Sequence, residues 1–172
     1  YICRKLKKCT FDLSVYPPSW GAVSEIDVET PSGLTNPICS YRPSLGYDFE
    51  TDEILIVLGE WNGTSELFDC TTAKLLAVKR DFSAVNVLHD DLLTLVQSAI
   101  TDVTHIVDYG QFYGYAGKIV GVLGVYAGGI SIPNERSCII LYDGTAWSAV
   151  HANTRYDYVQ ERIEPLWDAN DI

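Results

Sequence analysis

The sequence ILIVL at residues 54–58 decides the fold of this 172-residue chain. A strand that is buried on both faces has a continuous aliphatic run of this kind, whereas a strand with one wet face alternates apolar and polar residues. The sequence WNGT follows at residues 61–64, and Asn-Gly is the dipeptide that tight hairpin turns favour. With ELF at residues 66–68 as the returning segment, the pattern predicts a central strand that opens a hairpin.

A second hairpin is predicted by the same signals near the end of the chain. The apolar sequence CIILY at residues 138–142 runs into DGT at residues 143–145 and returns through AWSAV at residues 146–150. Both turns place an aromatic residue before Asn or Asp, Gly and Thr, so one turn chemistry is used twice. The two hairpins indicate a mostly antiparallel sheet.

One clear amphipathic helix is predicted between the hairpins. Its apolar residues recur at helical spacing, and they are Val85, Leu88, Leu92, Leu95, Val96 and Ile100. Ser83 or Asn86 is suited to cap its start. A C-terminal helix is indicated from Tyr156 onward, although Pro165 interrupts it. The order of strands, helix and strands predicts an α+β fold.

The N-terminal third contains two further strand patterns and a loop-rich stretch. FDLSV at residues 11–15 alternates and ends at a Pro-Pro pair. Residues 23–29 place carboxylates on one face and aliphatic side chains on the other. Residues 31–46 hold three prolines and two glycines, which marks them as the candidate internal boundary.

Length and composition predict one compact domain over residues 1–172. Hydrophobic residues make up 47% of the chain and charged residues 20%, which is the balance of a globular protein. Because the chain contains no methionine and opens on Tyr1, we expect it to be a piece of a longer polypeptide. A virion or other surface component would suit such a β-rich, processed module.

Residues 114–129 carry a regular glycine pattern that two structures would explain. On a helix, glycines spaced three, four, three and four apart form a smooth seam for close packing. The residues between them are mostly β-branched, aliphatic or aromatic, which favours a pair of strands. Lys118 is the only charge between Asp108 and Glu135, so membrane insertion is a further hypothesis. The continuous apolar part is nevertheless too short to span a bilayer, and membrane binding is not the favoured function.

The charge distribution narrows the class of partner. The net charge is -11, and the first eight residues carry four basic side chains and no acid, so residues 9–172 carry -11 - 4 = -15. Such a surface repels phosphate backbones, which argues against a nucleic-acid partner. The partners that remain expected are a basic protein or a second copy of the chain.

No cofactor or metal site is predicted. The sequence has no Gly-x-Gly-x-x-Gly motif, no complete phosphate-binding loop and no Cys-x-x-Cys spacing, and its three histidines are scattered. Cys3 and Cys9 are close enough in sequence to close a small N-terminal disulfide loop.

One constellation suggests thiol chemistry. The sequence DCT at residues 69–71 resembles the Asp-Cys-Ser stretch of the NlpC/P60 cell-wall peptidases over about six residues. The resemblance implies a papain-like hydrolase with Cys70 as nucleophile and His105 as base, and His151 is the alternative base. A cysteine-dependent hydrolase is therefore the alternative function.

The function that the sequence favours is a non-enzymatic protein-interaction or assembly domain. Aromatic residues make up 12% of the chain, and Tyr and Trp are frequent anchors of protein interfaces. Because hairpin tips are exposed, we expect the contact patch at Trp61 in the first hairpin and at Tyr142 and Trp147 in the second.

Overall fold

A computed structural model describes residues 2–17, 19–39, 45–61, 70–127 and 135–152. Of these residues, 61% lie in strands and 8% in helices. The chain is therefore mostly β with two short helices, and the predicted α+β class is wrong.

The described residues form eleven strands, arranged in two sheets, and two helices. The strands are β1 (Lys5–Asp12), β2 (Ser19–Asp27), β3 (Pro37–Ile38), β4 (Gly46–Asp48), β5 (Glu53–Glu60), β6 (Ala73–Lys79), β7 (Val85–His89), β8 (Val103–Tyr115), β9 (Lys118–Ala127), β10 (Glu135–Tyr142) and β11 (Trp147–Ala152). The helices are α1 (Glu29–Ser32) and α2 (Leu92–Gln97).

The main sheet curls into half of a barrel. Its strand order is β11-β10-β9-β8-β4-β5-β6-β7, and β3 pairs with β5 beside β4. The strand pairs that the described residues form in it are antiparallel, except for β4 with β8. Strands β1 and β2 form a separate two-stranded sheet, which we call the N-terminal hairpin.

The run at residues 54–58 lies in β5, a central strand with apolar clusters on both faces, as its composition predicts. The larger cluster receives alternate residues of β5 and β6, namely Leu55, Val57, Leu75 and Ala77. The smaller cluster, on the opposite face, receives Ile56, Leu58, Leu76 and Val78. Helix α2 adds Leu92 and Val96 to the larger cluster and contacts β6, β8 and β11.

The predicted amphipathic helix is wrong over its first half. Residues Val85–His89 form strand β7, in which Val85 and Val87 pair with Val78 and Leu76 of β6. Helix α2 begins only after Asp91, whose side chain accepts a hydrogen bond from the Thr94 backbone N–H at 3.0 Å. Because valine is branched at Cβ, it favours strands over helices. The apolar spacing of these residues also fits a helix, so spacing alone predicts the wrong element.

The glycine-rich segment forms the β8–β9 hairpin up to Ala127, which excludes the helical interpretation of these residues. Ala116 and Gly117 make a tight turn with φ of 52° and 72°, the left-handed values that a type I′ turn requires. Gly121 leaves room for the Phe112 ring, because a Cβ atom there would lie 2.3 Å from a ring carbon. These glycines therefore permit close packing within a sheet.

The predicted C-terminal hairpin is confirmed, with Tyr142 opposite Trp147 across the β10–β11 pair. Of the first predicted hairpin, only the first strand is confirmed. It is β5, which pairs antiparallel with β6. Residues 62–69, with the predicted return, lie outside the described residues, as does the C-terminal helix expected from Tyr156. The loop-rich residues 31–46 contain β3 and the start of β4, both paired with β5.

Candidate interaction surface

The N-terminal hairpin projects from the main sheet with both of its faces largely exposed. Strands β1 and β2 pair from Lys5 opposite Asp27 to Asp12 opposite Ser19, with one irregularity between Cys9 and Phe11. Nearly every residue of the two strands is solvent-exposed. A two-stranded hairpin in water is only marginally stable by itself, so an arrangement of this kind gains stability when it is covered.

The far end of this hairpin concentrates apolar side chains. Its exposed members, which we call the apolar tip, are Phe11, Leu13, Val15, Tyr16 and Trp20, and Val23 lies exposed midway along β2. The exposed fraction is 98% for Tyr16 and 74% for Trp20. The rings of Phe11 and Trp20 lie 4.6 Å apart at 48°, so they form one aromatic surface. Exposed apolar patches on soluble proteins commonly mark interaction sites.

The near end of the hairpin attaches to the body through apolar and polar contacts. Leu6 and Ile26 pack against the smaller core cluster, and the backbone N–H of Val28 donates to the Arg4 carbonyl at 3.0 Å. Lys8 donates to the Arg80 carbonyl at 2.8 Å. The hairpin is thus anchored at its base, while the apolar tip extends away from the core.

The charges of the hairpin are largely matched within it. Glu25 accepts contacts from Lys5 at 3.1 Å and Lys7 at 3.0 Å, and these hydrogen bonds with the lysines lower the pKa of the Glu25 carboxyl. Residues 2–28 hold four basic and three acidic side chains, a balance of +1, against -12 for residues 29–172. The hairpin therefore has a net charge close to zero in a strongly acidic chain.

The outer edge of β2 lacks charge along residues 19–24. Among the described residues, β2 pairs with β1 alone. Natural edge strands are commonly protected by lysines, prolines or bulges. Strand β1, the other strand of the hairpin, carries three lysines. The edge of β2 consequently offers backbone donors and acceptors for pairing with another strand.

The aromatic residues selected from the sequence lie elsewhere. Tyr142 and Trp147 stack at 4.9 Å and are half-buried against the larger core cluster, where His89 meets Trp147 edge-on at 5.3 Å. Burial lowers the pKa of His89. Trp61 is partly exposed at the end of β5, and its backbone N–H donates to the Asn36 carbonyl at 3.1 Å. Trp61 thus lies at the end of β5, and the other two lie at the β10–β11 turn.

Cys70 and His105 lie near each other in the sheet, because Cys70 bridges to the residue that follows His105. Cys70 is fully buried, and its backbone exchanges two hydrogen bonds of 2.9 and 3.0 Å with Ile106. Paired residues share a face of a sheet, and both Cys70 and Ile106 enter the larger core cluster. His105 is half-buried, and its Nδ1 lies 2.9 Å from Thr104 Oγ1. His105 directly precedes Ile106, in a part of β8 where the pairing with β9 shifts register on both sides.

His151 lies opposite a different cysteine, Cys138, in the β10–β11 pair. Cys138 belongs to the larger core cluster, and burial raises the pKa of its thiol to about 11. A thiol with a raised pKa is the reverse of an activated nucleophile, which needs a stabilised thiolate. The sheet thus pairs His151 with Cys138, whereas Cys70 bridges to Ile106, the residue that follows His105.

No group of three or more His, Cys, Asp or Glu side chains suited to a metal ion occurs among the described residues. Within the same part of the chain, neither helix is long and apolar enough to cross a membrane. A scan against protein-family models and searches of curated proteins and solved structures found no match to this chain.

The sequence reasoning missed the apolar tip, although two signals for it were present. Two strand-like segments flank a Pro-Pro pair, which indicates that they form one hairpin. Neither segment has an aliphatic run long enough for burial on both faces. Aromatic residues in such a segment have no core to enter, and Phe11 and Trp20 are exposed for that reason.

Proposed function

We propose that this chain is a protein-interaction domain that assembles through its N-terminal hairpin, and that the occupant of this surface is a second copy of the chain. The observation that supports the proposal is the uncharged, open edge of β2 beside the apolar tip. Burial of that tip and completion of the edge hydrogen bonds act together, since one adjoining strand accomplishes both.

An antiparallel β2–β2 contact around a two-fold axis at Val23 suits the sequence. In this register Val23 faces its own copy, Trp20 faces Ile26, and Gly21 faces Glu25. The carboxylates of the two copies are thereby offset from each other. A closed, two-fold contact of this kind is the commonest form of homo-oligomer.

Electrostatics favour the hairpin as the place of contact. Two copies with a net charge of -11 repel each other at long range, and the hairpin is the region where the local charge is close to zero. The same argument gives a salt dependence. Added salt screens the repulsion between the acidic bodies, so we expect association to become tighter as ionic strength rises.

Sedimentation velocity of the full chain from micromolar to near-millimolar concentration tests the proposal. We expect a reversible monomer–dimer equilibrium. Val23→Lys should weaken dimerisation at least about tenfold, because it places two like charges at the symmetry axis. Circular dichroism would verify that the variant is folded.

Val150→Lys is the matched control. Val150 is an exposed valine on β11, an edge strand of the main sheet, and is 48% exposed against 61% for Val23. It should leave the dimer unchanged. A wild-type chain that stays monomeric throughout, or a dimer that Val150→Lys disrupts and Val23→Lys does not, would refute the proposal.

A further inference from the structure

Two cysteines meet where the N-terminal hairpin joins the main sheet. Cys3 precedes β1 and Cys39 follows β3, and an antiparallel bridge between Ile2 and Ile38 brings the two segments together. The backbone N–H of Cys3 donates to the Pro37 carbonyl at 2.6 Å. Both cysteines are half-buried and carry free thiols. Cys3 therefore contacts Cys39, and not the Cys9 that sequence spacing suggested.

The two thiols share a hydrogen bond that makes them unequal. Cys3 donates to the Cys39 sulfur, which lowers the pKa of Cys39 to about 6, and the same hydrogen bond with Cys39 raises the pKa of Cys3. The hydrogen bond thereby favours the thiolate form of Cys39 and the protonated form of Cys3. This is the arrangement of an attacking and a resolving thiol.

The other three cysteines lie in different environments. Cys70 and Cys138 are buried in the core. Cys9 is exposed on β1, and its sulfur contacts the carbonyls of Thr10 at 3.4 Å and Gly21 at 3.3 Å. The pair at the hairpin base thus joins two half-buried thiols that pack against the smaller core cluster, whereas Cys70 and Cys138 belong to the larger one.

We propose that Cys3 and Cys39 form a dithiol modification site that reacts with small-molecule disulfides and closes into a disulfide between the hairpin and the main sheet. The Cys39 thiolate attacks one sulfur of the small disulfide, forming a mixed disulfide and releasing one small thiolate, which takes up a proton. Cys3 then loses its proton, attacks the Cys39 sulfur and releases the second small thiol. One small disulfide is reduced to two thiols as two protein thiols are oxidised to one disulfide.

Closure would fasten the base of the hairpin to β3 covalently. A cross-link restricts the unfolded chain and limits local opening, so the hairpin would separate from the main sheet less often. The site is independent of the proposed self-association, because it concerns the base of the hairpin and not β2.

Incubation of the full chain with oxidised glutathione tests the site, followed by alkylation of remaining thiols and non-reducing peptide mapping. We expect one intramolecular link, between the peptides that contain Cys3 and Cys39. Cys3→Ser should instead retain glutathione on Cys39, since no resolving thiol is present. Cys9→Ser is the control, and its Cys3–Cys39 link should form as in the wild type.

The pH dependence of iodoacetamide labelling provides a measurement on the unmodified protein. Labelling of Cys39 should rise with a midpoint near pH 6, matching a pKa of about 6. Cys3→Ala, which removes the hydrogen-bond donor, should shift this midpoint upward, whereas Cys3→Ser keeps a donor and should shift it less. A link formed by another cysteine pair, or a Cys39 midpoint near the ordinary thiol value of about 8.5, would overturn the proposal.

Discussion

The N-terminal hairpin and the main sheet use the same antiparallel pairing with opposite burial. Strand β5 has apolar clusters on both faces, whereas β1 and β2 are exposed on nearly all of their residues. Backbone hydrogen bonds alone therefore do not distinguish the regions. The side chains do, since apolar burial supplies most of the stability of a folded domain.

The largest expected effect comes from truncating Phe112, the largest of the fully buried side chains among the described residues. Phe112 is 1% exposed and lies in the larger core cluster against Gly121. Phe112→Ala should reduce the free energy of unfolding by about 3–5 kcal/mol, through lost burial and the remaining cavity. Urea denaturation followed by circular dichroism measures it.

Phe11→Ala is the control for this comparison. Phe11 is the same residue type on the N-terminal hairpin, where it is 44% exposed. Its removal should cost much less than that of Phe112. Equal losses of stability at the two sites would mean that the hairpin is packed as tightly as the main sheet. That result would contradict the difference in burial between the two regions.

A smaller effect is expected from acidification. Asp143 in the β10–β11 turn accepts hydrogen bonds from the backbone of Ala146 at 2.9 Å and from Thr145, and these bonds lower its pKa to about 2. Since the folded pKa lies below the unfolded one, the stabilisation is complete above about pH 4 and is lost as pH falls through about 2. Asp143→Asn should flatten the dependence of stability on pH in this range.

Asp12 provides the corresponding turn residue in the N-terminal hairpin. Its Oδ1 accepts from the Ser14 hydroxyl at 2.6 Å and the Ser14 backbone N–H at 2.8 Å, and these bonds lower its pKa. Because this hairpin contributes little to the core, Asp12→Asn should alter the acid dependence of global unfolding less than Asp143→Asn. The reverse order would contradict the comparison.

The smallest effect is expected at Trp20. This side chain is 74% exposed, and its described ring contact is with Phe11. At concentrations where the chain is monomeric, Trp20→Ser should change the free energy of unfolding by less than about 1 kcal/mol. Trp147→Ser, which removes a half-buried ring packed on the core, should cost more in the same assay. A severe loss at Trp20 alone would show that the apolar tip is structural.

Local sequence signals predicted the parts of the fold whose partners are near in the chain. The run at residues 54–58 and the β10–β11 hairpin follow directly from residue type and turn chemistry. Strand β7 was misjudged because Val85 is placed by pairing with β6, and its local spacing equally fits a helix. The spacing of apolar residues along one segment contains no information about which strand will pair with it.

The candidate surface was harder to predict than the fold. Exposure at a hairpin tip depends on what lies beneath it, and α2 lies against β11, where Trp147 begins the strand. Tyr142 and Trp147 are therefore half-buried against the larger core cluster, although they flank a turn. The contact between Cys3 and Cys39 likewise depends on the bridge between Ile2 and Ile38, which no spacing of cysteines encodes.

The single parallel pair of the main sheet has a consequence for how the chain folds. Strands β5–β7 and β8–β11 are each joined to sequence neighbours, whereas β4 meets β8 by pairing Tyr47 with Tyr113. Joining these distant residues closes a long loop, and the entropy of that closure is lost before the new contacts compensate for it. The entropic cost of uniting the two halves thus falls mainly on one short junction, while the meanders on either side need only their own turns.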